Sequence, residues 1–109
     1  MKTFVVLSDS HGRKKNVEKL MPLFRENDFV VHLGDGSSDL RDFSRENPDK
    51  TYIMKGNCDF SYGMDEYIIE TEKVRILCCH GHKYGVKSGL FRLAAHAKEC
   101  DCDAALYGH

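Results

Sequence analysis

The stretch TFVVLSDSH, Thr3 to His11, climbs through an apolar run and stops on a carboxylate, with an imidazole two residues further on. The same grammar returns along the chain. FVVHLGD ends on Asp35, TYIMKGN on Asn57, VRILCCH on His80 and DAALYGH on His109. The runs are short, rich in Val, Ile, Leu, Phe and Tyr, and lack a clean alternation, which is how strands buried on both faces read. Each predicts a strand whose end delivers a polar residue able to bind a metal.

Between these strands lie helical segments. Asn16 can cap a helix carrying Val17, Leu20 and Phe24, with Pro22 kinking or restarting it. Ser37 or Ser38 can cap a short helix with Leu40 and Phe43, ended before Pro48. A third runs from about Ser88 to Lys98, with Leu90, Leu93, Ala94 and Ala97 on one face. In DEYIIETEKVRILCC two strand-like runs, Glu66–Thr71 and Val74–Cys79, are separated only by Glu72-Lys73 and predict a hairpin. Strand–helix alternation plus one hairpin predicts an α/β class with a mostly parallel sheet. Ligands of such sheets bind outside the carboxyl ends of the strands, so Asp9, Asp35, Asn57, His80 and His109 are expected to gather there.

Composition narrows the function classes. A chain of 109 residues fits one domain, 1–109, and a domain of that size buries roughly 65% of its unfolded surface. Charged residues make up 30% and the net charge is −1, so no electrostatic footprint of a nucleic-acid or membrane binder exists. The basic run Arg13-Lys14-Lys15 reads as the exposed start of a helix. No apolar stretch is long enough for a membrane span, and the N-terminus reaches Ser8-Asp9-Ser10-His11 before a signal-peptide core could form. Five cysteines, an odd number without a C-x-x-C, fit reduced thiols and a cytoplasmic protein. A zinc site from Cys78, Cys79, Cys100 and Cys102 is conceivable, but the spacings are wrong for the usual knuckles.

The strand ends carry the chemistry. Gly34 permits a tight turn before Asp35, and Gly56-Asn57 repeats the device with an amide oxygen. Two carboxylates, one amide and several imidazoles make a mixed oxygen and nitrogen set, suited to Mn, Fe, Zn or Ni more than to Ca. In their order, Asp9-Ser10-His11, Gly34-Asp35, Gly56-Asn57, His80-Gly81-His82 and Gly108-His109 resemble the motifs D-x-H, GD, GN, H-G-H and G-H-x-H of the calcineurin-like metallophosphoesterases, in particular their small bacterial and archaeal phosphodiesterase branch. The resemblance covers the whole chain and implies the layered α/β sandwich of that family. The last motif is incomplete, because its second histidine would lie two residues beyond His109. An incomplete family domain, continued past His109 by a further layer, is therefore expected.

The resemblance implies two divalent metal ions, Mn foremost with Fe, Zn, Ni or Mg as others. Asp35 would bridge them; Asp9 and His11 would hold one, and Asn57, His80 and His109 the other. It implies a metal-dependent phosphoesterase, of the phosphodiesterase class, in which a metal-bridging hydroxide attacks phosphorus in line. Asp35, Asn57 and His80 would be its catalytic core, acting on a phosphorylated small molecule or phosphodiester. The alternative is a catalytically silent scaffold of the same fold serving as a protein-interaction subunit, as one retromer component does. Such scaffolds typically lose ligands, and here the six positions within the chain are intact. Many relatives carry a histidine after the asparagine; here it is Cys58, a poor general acid near neutral pH. Activated or diester substrates are therefore expected unless Asp59 or His82 supplies the proton.

The remaining polar residues read more plainly. His32 is expected to be a satisfied core histidine, and His96 to lie on the surface of its helix. Cys58 should be a compact residue packed behind Asn57. Asp39, Asp42, Asp49 and Asp101 read as caps and solvated charges, and Asp59 as a turn residue. His82 faces substrate or braces a ligand with equal weight. The segment Phe60–Met64 either lines the mouth of the site or forms an ordinary loop. The hairpin edge at Glu66–Cys79 would permit sheet-edge pairing into a homo-oligomer.

Overall fold

The computed structural model describes residues 1–60 and 62–109. Strands β1 (Phe4–Leu7), β2 (Phe29–His32) and β3 (Thr51–Ile53) form a parallel sheet in that order. Its register pairs Val5 with Val30 and Val31 with Tyr52. Strands β4 (Glu66–Thr71), β5 (Val74–Cys79) and β6 (Ala104–Leu106) form a second sheet. There β4 runs antiparallel and β6 parallel to β5. All five strands expected from the repeated grammar are present, as is the hairpin, but they divide between two sheets. The hairpin turn is Glu72-Lys73, with both residues at positive φ (49° and 68°), as a two-residue turn matching strand twist requires.

The helices differ more from expectation. α1 (Lys14–Glu18) starts after Arg13, and Asn16 lies inside it rather than capping it. α2 (Met21–Glu26) restarts at Pro22, whose missing N–H costs nothing in a first turn. Ser37 and Ser38 fall within a 3₁₀ turn, Ser37–Leu40, that runs into α3 (Arg41–Glu46). Ser37 does not cap; its hydroxyl donates to the Tyr62 carbonyl at 2.7 Å. α4 (Phe91–Glu99) begins later than expected and buries only Leu93 and Ala97; Leu90 and Ala94 are exposed. A nine-residue helix against one sheet needs only a narrow apolar stripe.

Three apolar clusters join these elements into layers. Val17, Phe24, Val30, Leu40, Phe43 and Ile53 fill the space between the first sheet and α1 to α3. Val31, Leu33, Met54, Ile69 and Cys78 lie between the two sheets, and Leu77, Cys79, Val86, Leu93 and Ala97 lie under α4. Cys78 and Cys79 thus point to opposite faces of β5, as strand alternation demands. That separation, together with burial that drives the thiols up to about 12 and about 11, removes the four-cysteine zinc site. Burial on both faces holds for β2 but not for β1 and β6, whose edge positions leave Val6 and Ala104 exposed.

Candidate metal centre

β1, β2 and β5 end at one rim, and there the chain leaves ordinary backbone. Asp9, His11 and Asp35 take positive φ (57°, 47° and 58°), as does His109 (64°). Such non-glycine conformations cost energy and persist only where the surroundings hold them. The Asp9 N–H donates to the Gly34 carbonyl at 2.8 Å and the His11 N–H to the Asp35 carbonyl at 2.9 Å, which laces the first two loops together. Gly34 (φ 105°) must be glycine, because a Cβ there would sit 2.7 Å from the Gly56 nitrogen and 2.8 Å from His80 Nδ1. Gly56 is needed for close approach: its Cβ would lie 2.5 Å from the Asp35 nitrogen and closer still to Oδ1.

At the centre of the rim Asp35 and His80 are both buried. Asp35 Oδ2 lies 3.2 Å from His80 Nε2, and His80 Nε2 lies 3.1 Å from His109 Nδ1. His80 Nδ1 is 2.8 Å from the Leu33 carbonyl, which can only accept, so the imidazole proton belongs on Nδ1. Nε2 then presents a lone pair to a carboxylate and a second imidazole. His109 Nδ1 offers either a proton or, in its other tautomer, a third lone pair, and in the latter state the group can close on a cation; a ligating histidine fixed by its other nitrogen is the usual arrangement. Ligand atoms of Asp35, His80 and His109 lie within 4.8 Å of one another, and so do those of His11, Asp35 and Cys58. Asp35 is shared by both groups. Both groups are therefore suited to divalent-cation binding, with Asp35 common to the two.

Not every expected ligand converges equally. Asp9 borders the site: its Oδ1 is 3.7 Å from His11 Nε2, while Oδ2 accepts the His109 N–H at 3.1 Å and the Ser8 hydroxyl. Asn57 is exposed, and its amide donates to Cys58 Sγ at 3.7 Å rather than toward Asp35 or His80. Cys58 is exposed instead of packed behind Asn57, and its backbone N–H donates to Asp35 Oδ1 at 2.8 Å. Partial desolvation and the Asp35 carboxylate push its thiol up.

Asp59 does more than turn the chain. Its carboxylate accepts the N–H groups of Asp35 and Gly56, both at 2.8 Å, of Gly36 at 2.9 Å and of Ser37 at 3.1 Å. Burial alone would raise its pKa; the four donors override that and hold it low. Asp39, expected in solvent, is buried and accepts from the Ser10 hydroxyl at 2.5 Å and the Gly12 N–H at 3.0 Å. It is needed because the loop after Asp9 must be held against the 3₁₀ turn. His32 is the satisfied core histidine expected, with Nδ1 taking the Gly34 N–H and Nε2 on Ser10 Oγ. His82 lies with its ring centroid 5.4 Å from that of His80, and its buried Nδ1 has no partner among the described residues.

A cleft of about 330 Å³ opens beside the centre, lined among others by His11, Arg41, Cys58, Asp59, Phe60 and Tyr62. Phe60 and Tyr62 thus line the mouth; Ser61, in the same expected segment, lies outside the described residues. The Arg41 guanidinium sits 4.7 Å above the Tyr62 ring. No single motif pointed to Arg41, although a cation following the GD loop could have been noted.

Known proteins share this architecture. The chain is 31% identical over 107 residues to a probable metallophosphoesterase, YsnB, of Bacillus subtilis, covering 96% of this chain and 62% of that one. A conserved uncharacterized protein from Streptococcus pneumoniae, described as a predicted phosphoesterase, superposes with a TM-score of 0.80 at 29% identity, over 99% of this chain and 62% of that one. Vacuolar Protein Sorting 29 from Cryptosporidium parvum gives 0.81 over 99% of this chain and 64% of that one, but at 15% identity the likeness is one of fold alone. The chain spans less than two thirds of the length of each. Residues 1–109 match the calcineurin-like phosphoesterase superfamily domain throughout, and the chain belongs to that superfamily.

Proposed function

We propose that this chain carries the metal-binding and substrate-facing part of a binuclear metal-dependent phosphodiesterase. The observation that carries the proposal is the convergence of Asp35, His80 and His109, with the His80 proton committed to the Leu33 carbonyl. Asp35 would belong to both metal sets, joined by Asp9 and His11 on one side and by Asn57, His80 and His109 on the other. Two divalent cations, Mn²⁺ foremost, would supply Lewis acidity and an acidified water there.

The chain's own residues do the positioning. Cys58 N–H fixes one oxygen of Asp35 and leaves the other facing His80. Arg41 lends the cleft a cation that complements a phosphate oxygen. Among the described residues the cleft holds no strong acid for the leaving group. Cys58 stays protonated at neutral pH but is a weak donor; Asp59 is held ionised by its four N–H partners. Burial, and then the neighbouring His80, lower His82, which is neutral near pH 7. A site that cannot readily protonate a poor leaving group favours activated phosphodiesters.

The test is hydrolysis of a chromogenic phosphodiester and the matching monoester by the full protein with Mn²⁺, beside Asp35→Asn. Diester turnover lost in the variant is the expected result. If the Mn²⁺-loaded wild type is as inert as Asp35→Asn, the hydrolase reading is lost. Metal-independent capture of a defined partner would then favour the scaffold alternative.

A further inference from the structure

A second group of metal-competent side chains lies away from the Asp35 centre. Glu66 opens β4 opposite Cys79, on the face of the second sheet that α4 covers. Its Oε2 is 2.9 Å from His96 Nε2, and the same Nε2 is 3.7 Å from Cys100 Sγ. We propose that Glu66, His96 and Cys100 form a mononuclear Zn²⁺ site that fastens the end of α4 to the start of the hairpin.

The geometry favours a cation over a simple ion pair. A Glu66–His96 pair would account for two of the residues, yet the Cys100 sulfur is aimed at the same nitrogen. All three ligand atoms lie within 4.8 Å of one another. That spread fits a tetrahedral ion with bonds of about 2.0–2.3 Å. His96 and Cys100 stand four residues apart, the spacing that puts two side chains on one helix face. The carboxylate comes from a different element, so the set closes across the interface of α4 and β4. Thiolate, imidazole and carboxylate together suit Zn²⁺ better than the harder cations. Three protein ligands leave one position for water.

The surroundings are built to hold these ligands. The Tyr84 ring stacks on His96 with centroids 4.8 Å apart, and its hydroxyl donates to Glu66 Oε1, the oxygen turned away from His96. Such outer contacts orient a ligating carboxylate and imidazole. Tyr84 ends the 3₁₀ turn that begins at His82, two residues past His80. An ion here would therefore brace the turn that follows the Asp35 centre from the opposite face of the sheet. The other cysteines stand apart from this group: Cys78 and Cys79 are buried high-pKa thiols, Cys102 turns its sulfur to the Cys100 carbonyl at 3.8 Å, and Cys58 lies with His11 and Asp35.

The test uses Co²⁺ as a probe of thiolate coordination, in a Cys58→Ser background that silences the other site's sulfur. A near-ultraviolet thiolate–cobalt band that Zn²⁺ bleaches is expected. It should vanish in Cys100→Ser and in His96→Gln, and Tyr84→Phe should weaken the affinity about tenfold. Absence of the band, or its survival in Cys100→Ser, overturns the proposal. Alkylation of the wild-type protein, read peptide by peptide, guards against misfolded variants. Zn²⁺ should slow modification of Cys100 about tenfold or more while leaving Cys102 unchanged. Equal slowing of both, or of neither, also overturns it.

Discussion

His32 and His80 are the two most deeply buried histidines, 0% and 1% exposed, and each stands at the end of a strand. By exposure they are the same residue. They differ in what is left over. Around His32 both ring nitrogens are consumed, one by the Gly34 N–H and the other by Ser10, which in turn bonds Asp39. Around His80 Nδ1 is committed to a backbone carbonyl, and Nε2 is turned toward two other metal-competent side chains, Asp35 and His109. The same distinction sorts two neighbouring carboxylates. Asp59 spends its oxygens on four backbone N–H groups, whereas Asp35 gives one oxygen to Cys58 and keeps the other for His80. A spare lone pair, not burial, separates a residue poised to bind from one that holds the fold.

Removing the spare lone pair should have the largest effect. His80→Ala should lower the affinity for Mn²⁺ more than about 100-fold, since even partners that merely orient ligands are worth about 10–100-fold. Titration calorimetry of the folded variant checks this. An affinity within a few-fold of wild type would break the distinction at its strongest point.

Asp59 comes next, and its effect should fall on stability. Asp59→Asn replaces a carboxylate accepting four N–H groups by an amide with one acceptor oxygen, and should cost about 2–3 kcal/mol in urea unfolding at neutral pH. The folded pKa of Asp59 lies below its ordinary 3.8. Its contribution is thus fully present above that value and is lost as pH falls through the lower folded one. Wild type and variant should therefore converge in stability as pH falls below 3.8 and through the lower folded value. A gap that stays constant into acid would mean the four bonds do not depend on the charge.

Much of the scaffold could be read from residue order, because an apolar run ending on a polar residue states both a strand and where it stops. The hairpin was legible for the same reason, with Glu72-Lys73 leaving no room for anything but a tight turn. Division of the strands into two sheets was not, since short runs of similar composition do not say which partner they hydrogen-bond. Helix starts are not legible where a serine or asparagine looks like a cap. Ser37 had a better partner in the Tyr62 carbonyl, and Asn16 simply lies within α1. In the site, the motif residues announced themselves, while their supports did not. Asp39 and Asp59 look like surface charges until loops distant in sequence bring N–H groups to them. His96, expected on the surface, instead stacks on Tyr84 and pairs with Glu66, a contact spanning thirty positions.

The smallest expected effect tests the other half of the comparison. His32→Leu removes both imidazole bonds, but Ser10 keeps Asp39 as its partner, so only the Gly34 N–H is left buried and unpaired. One such orphan should cost about 1–2 kcal/mol at pH above 7, with little change in Mn²⁺ affinity. Burial, partly opposed by Asp39, holds the folded pKa of His32 below its ordinary 6.5. Below that value the unfolded chain takes up a proton that the folded one refuses, so wild type loses stability as pH falls toward the folded pKa. The leucine variant escapes that loss. The gap between the two should therefore shrink from neutral pH to about pH 5, the window in which an unfolded histidine gains its proton. Denaturant unfolding at both pH values reads it directly. A widening gap would mean that His32 is charged in the fold, and its nitrogens could not then be the consumed, silent pair that sets it apart from His80.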